Sequence, residues 1–102
     1  MDFKGMIIEE SLKDTSVLKE VKIVKTVIEK TTEKHRTPWL SQWTMHNVEI
    51  SEEKIDELCE KLQKALDSEH EWYIDLKNNK YEITIFHEII NKRRVYNYNF
   101  NG

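Results

Sequence analysis

Four histidines, three tryptophans and one cysteine carry much of the chemistry that this chain of 102 residues could perform. His70 and His87 form the first pairing of interest. A two-residue turn at Asn78-Asn79 places them directly opposite each other on adjacent strands, where cross-strand Cβ atoms lie about 4.5–5.5 Å apart. Two imidazoles at that separation can share a metal ion or a proton. His46 shares a strand face with Val48 and Ile50, so a third imidazole could approach if that strand neighbours the hairpin. The plainer reading of each is a solvated or singly hydrogen-bonded histidine.

The same turn sets Asp75 opposite Glu82. Paired carboxylates can divide into an acid and a base when one member has a raised pKa. Lys77 and Lys80 stand diagonally beside them, which favours a solvated face. Trp39 and Trp43 flank Pro38, with His35 and Arg36 just before. Aromatic residues with an arginine in a loop are typical recognition anchors. Trp43 shares a face with Met45 and leans toward packing, whereas Trp39 leans toward recognition. Tyr73 joins Asp75 on the polar face of its strand. Lys92-Arg93-Arg94 followed by Tyr96, Tyr98 and Phe100 has the make-up of a single-strand nucleic-acid surface. Against that, the period-two alternation spends those aromatics on the core, and the net charge of −3 opposes polyanion binding. Cys59 falls on an apolar helical stripe, where thiols are usually inert.

Bulk composition removes other classes. With only Gly5 and Gly102, no glycine-rich phosphate loop can be written. One cysteine allows neither an internal disulfide nor a cysteine-based zinc cluster. No apolar run approaches the ~20 residues that span a bilayer, and no signal peptide opens the chain, so a reducing cytoplasm is expected. The length suits a single domain over residues 1–102.

The elements that must position these residues follow from pattern. Strands are expected over Phe3–Glu10, Val21–Thr31 and Gln42–Ile50, with Asp14 capping a short helical turn between the first two. Ile55, Leu58, Cys59, Leu62, Ala65 and Leu66 make one stripe of a helix over about 51–67, with Ser51 as its N-cap. Burying its four large apolar residues contributes about 6–12 kcal/mol at most. The turn at Asn78-Asn79 pairs Leu76 with Tyr81, Ile74 with Ile83 and Trp72 with Ile85. A second turn at Asn91-Lys92 sets His87 against Tyr96 and Ile85 against Tyr98. The fold class is α+β: an antiparallel sheet of five or six strands, one main helix on one face, and a C-terminal three-stranded meander.

Several stretches resemble a family of small bacterial and archaeal proteins: Phe3-Lys4-Gly5 with Ile7 to Leu12, Thr37-Pro38-Trp39-Leu40, Gln42-Trp43-Thr44-Met45-His46, and Ser68 to Tyr73 with Lys77-Asn78. They cover most of residues 3–86. The resemblance implies a common fold unit and brings no activity. It departs after Phe86, where similar proteins turn sooner and His87 to Ile90 are expected to prolong the strand.

The functional expectation is a non-enzymatic binding or regulatory module acting through protein–protein or small-ligand recognition. Its binding candidates are Arg36, Trp39, Trp43, His46, Tyr73 and Asp75. A homodimer or protein partner paired through an exposed sheet edge is expected, with no membrane, no nucleic acid and no cofactor. One alternative is a small enzyme or metal protein built on His46, His70 and His87. The other is a single-strand binder built on the C-terminal residues.

Overall fold

The computed structural model describes residues 1–95 and has the expected α+β architecture. Six strands form one antiparallel sheet: β1 (Phe3–Ile8), β2 (Lys22–Lys30), β3 (Gln42–Ile50), β4 (Tyr73–Lys77), β5 (Tyr81–Phe86) and β6 (Ile90–Arg94). Their spatial order is β2-β3-β1-β4-β5-β6, so β1 is central and β2 and β6 are the edges. Among the described residues, no helix is long and apolar enough to cross a membrane.

One helix, α1 (Ile55–Ala65), packs its apolar stripe on one face of the sheet. Ile55, Leu58, Cys59, Leu62 and Ala65 are buried, with Leu66 just beyond. They meet Phe3, Ile7, Val48, Ile50, Ile74, Leu76, Ile83 and Ile85 in one core. The helix starts later than Ser51: the Ser51 carbonyl accepts the Lys54 amide at 3.1 Å in a turn, and Lys54 is the N-cap without a side-chain bond. The expected cap at Asp14 does form. Its carboxylate accepts the Ser16 amide at 3.0 Å and heads a helical turn over Thr15–Glu20.

The meander of β4, β5 and β6 forms, with both registers displaced from expectation. Ile74 lies opposite Ile85 and Leu76 opposite Ile83. The cause is local. The Asn78 side-chain oxygen accepts the amides of both Lys80 and Tyr81 at 2.8 Å, so the loop includes Lys80 and the partners slip by two residues. A two-residue slip keeps every side chain on its face, which is why the apolar residues still meet the helix. The second turn comes at His87-Glu88, closed by the Phe86 amide on the Ile89 carbonyl at 2.8 Å. Asn91 and Lys92 are strand residues opposite Thr84 and Ile83. The chain therefore turns directly after Phe86 instead of prolonging the strand. Tyr96, Tyr98 and Phe100 lie outside the described residues.

Candidate functional site

The strand order brings two connections together. β1 lies between β3 and β4, so the end of β1 and the starts of β3 and β4 share one end of the sheet. The loop before β3 and the bend before β4 therefore rise side by side. Between them lies a cleft of about 790 Å³. Met6 and Ile8 of β1 contribute its floor, from the face that α1 leaves open, together with Trp43, Tyr73 and Asp75. The loop contributes His35, Arg36, Thr37 and Trp39; the bend contributes Glu69, His70, Glu71 and Trp72.

Each wall is held by its own hydrogen bonds. In the loop, the Thr31 hydroxyl donates to the Leu40 carbonyl at 2.5 Å, and Trp43 Nε1 donates to the Thr37 hydroxyl at 2.9 Å. His35 Nδ1 accepts the Thr32 amide at 2.9 Å, which leaves the ring proton on Nε2, 3.4 Å from Glu29. Arg36 takes a left-handed backbone conformation, φ 58°, and turns the chain toward Pro38. In the bend, the Asp67 amide donates to the Ser11 carbonyl at 2.8 Å, and the Asp67 carboxylate holds His70 Nδ1 at 2.7 Å. That bond, with the Glu69 amide, draws the Asp67 carboxyl below its usual range.

Aromatic contacts join the walls. Trp39 stacks on His70 with ring centroids 3.9 Å apart and planes at 14°. Trp72 meets the edges of Trp39 at 6.5 Å and Trp43 at 5.7 Å, and His35 stands edge-on to Trp43 at 4.5 Å. Trp72 and Trp43 sit against the core, but Trp39 keeps 48% of its surface exposed and Tyr73 61%. Trp72 Nε1 is buried and meets no acceptor among the described residues. Trp72 does not face Ile85 as expected, because the two-residue slip sets Ile74 opposite Ile85 and β4 begins only at Tyr73.

The charge balance of the cleft is acidic. Glu69, Glu71 and Asp75 line it against one guanidinium, Arg36. Asp75 lies opposite Thr84, not Glu82, yet the two carboxyls still approach diagonally. Burial first, then the hydrogen bond with Glu82, raises the Asp75 carboxyl above its usual range. Glu82 moves the other way, chiefly because Arg93 Nε donates to it at 2.6 Å.

Five of the six binding candidates thus line one cleft: Arg36, Trp39, Trp43, Tyr73 and Asp75. His46 does not. It is 93% buried on the helix-covered face, where Nε2 meets Glu9 Oε1 at 2.9 Å and Nδ1 meets the Thr26 hydroxyl at 2.8 Å. This hydroxyl–imidazole–carboxylate line has the order of an activated nucleophile. It ties β2 and the turn after β1 to β3, and none of its members lines the cleft. The pairing of His70 with His87 does not form: His70 is in the bend before β4, and His87 is in the β5–β6 turn. Among the described residues, no group of three or more His, Cys, Asp or Glu could hold a metal ion. Burial pushes the Cys59 thiol up to about 11, leaving little thiolate at neutral pH. Of the basic residues on β6, Arg93 is paired with Glu82, and Lys92 lies over the Tyr81 ring at 4.6 Å.

The sequence reading missed His70 as a partner of Trp39 and Glu69 and Glu71 as lining residues. Their sequence signals are proximity to Trp72 and a place in the stretch Ser68 to Tyr73, and the strand order that makes them meaningful cannot be read from periodicity. Comparison with protein-family models, curated proteins and solved structures finds no match to this chain.

Proposed function

We propose that the protein is a binding module whose cleft takes a small organic cation: an amine attached to a flat or apolar body. The observation that carries this reading is the joint lining of Trp39, Trp72 and Tyr73 with Glu69, Glu71 and Asp75. Aromatic faces attract ammonium groups through the ring quadrupole, and carboxylates supply the counter-charge. Met6 and Ile8 offer the apolar floor on which the body of such a ligand would rest. The volume falls within the range of about 300–1,000 Å³ typical of small-molecule sites. One buried cysteine suits work in a reducing compartment such as the cytoplasm.

Calorimetry with 2-phenylethylamine and phenylacetate tests the reading, since the two share a ring and differ in charge. The amine should bind, the acid should bind at least about tenfold more weakly, and Trp39→Ala should remove amine binding with the circular dichroism unchanged. Equal binding of both probes, or of neither, contradicts the reading.

A further inference from the structure

The described residues include nine exposed large apolar side chains, and their placement is uneven. Met6, Trp39 and Tyr73 belong to the cleft. Ile23, Val24, Val27 and Ile28 all lie on β2, where every one of the nine residues is exposed. Among the described residues, β2 pairs with β3 alone, so its other edge presents a row of free amides and carbonyls. A long apolar edge strand of this kind is a template for adding another strand. β6, at the far edge, is shorter and carries Lys92, Arg93 and Arg94, which repel a like strand and also the lysines of β2.

We propose that β2 pairs antiparallel with β2 of a second copy, about a two-fold axis at Val27. The faces set the register. Lys25, Val27 and Glu29 point to the open face, opposite Asn47, Met45 and Trp43; Thr26 and Ile28 point to the covered face, opposite His46 and Thr44. Directly opposed residues must share a face, so the axis must pass through a residue and not between two. An axis at Val27 sets Lys25 against Glu29 of the second copy, twice, with Val27 meeting its own counterpart and Thr26 meeting Ile28. An axis at Thr26 or Ile28 opposes no unlike charges. The irregularity between Ile23 and Lys25 ends the regular pairing, so it runs over residues 25–29. The product joins two six-stranded sheets into one, with both copies' clefts left open. It does not rest on the cleft binding a ligand.

Sedimentation equilibrium over about a hundredfold concentration range tests the proposal, because mass action favours the dimer at the upper end. The mass should rise toward twice 12.3 kDa. Lys25→Glu and Glu29→Lys should each weaken the dimer at least tenfold, as should Val27→Lys, which brings two ammonium groups together at the axis. The double variant Lys25→Glu/Glu29→Lys should recover association, since the exchange restores both unlike pairs. That recovery stays decisive even if Val27→Lys harms folding: the Glu29–His35 contact within one copy is lost in the Glu29→Lys single variant and in the double variant alike, and Lys25→Glu keeps it. A monomer at every concentration, a dimer indifferent to these changes, or growth beyond a dimer overturns the proposal.

Discussion

His46 shows how one side chain ties three elements together without belonging to the cleft. Replacing it with alanine leaves Glu9 and Thr26 to find water, and the partly buried setting makes that cost about 1–2 kcal/mol. Urea unfolding of His46→Ala should show that loss while the amine affinity stays unchanged. Two carboxylates are expected to respond to pH in opposite senses. Asp67 is drawn below its ordinary pKa, so its contribution is present above the ordinary carboxylate range and lost as pH falls through it. Asp67→Asn should therefore cost about 0.5–1 kcal/mol at neutral pH and nothing in strong acid. Asp75 is raised, so the fold favours its neutral form and its contribution falls as pH climbs past the ordinary value. Asp75→Asn should stabilise the protein at neutral pH, by up to about 1 kcal/mol, and this gain should vanish in acid. Denaturant midpoints at the two pH values read both effects. At this scale the sequence marks Arg36, Trp39 and Trp43 well, because one proline flags one irregular loop. It hides the partner of His46, since Glu9 lies 37 residues away and no periodicity links them.

Elements were legible by face and poorly legible by position. Alternation in Ile74, Leu76, Ile83 and Ile85 assigns one side to the core whatever the turn, because slips of two preserve faces. The absolute register depends on which groups the Asn78 side chain accepts, and that choice leaves no trace in hydrophobic pattern. The start of α1 shows the same limit: Ser51 is a suitable cap, but its carbonyl closes a turn first. Gly5 has a use that composition could not reveal. It lies opposite Leu76 where β1 meets β4, and a Cβ there would stand 2.3 Å from the Asp75 carbonyl oxygen and 2.7 Å from Leu76 Cδ2. Gly5→Ala must therefore push β4 away, at a cost of about 1–3 kcal/mol. Hydrogen exchange should locate the loosening at the β1–β4 ladder, with the β2–β3 pair keeping its protection.

The whole molecule presents two different faces. Helix α1 covers one, and the other is open with a cleft at one end. The fold class was readable because a single amphipathic helix and several alternating strands admit few layer arrangements. The strand order was not, because chain order does not say that β1 lies between β3 and β4. That order makes neighbours of Trp39 and His70, and so creates the cleft. The acidic, aromatic cleft is the centre of the functional account, and the three tryptophans report on it directly. The decisive measurement is a nitrogen–proton correlation spectrum of the three indole groups during titration with 2-phenylethylamine. Saturable shifts of the Trp39 and Trp72 indoles, absent with phenylacetate, are the expected result. Indole signals that stay fixed to the solubility limit of the amine, or that move equally with the acid, would contradict it.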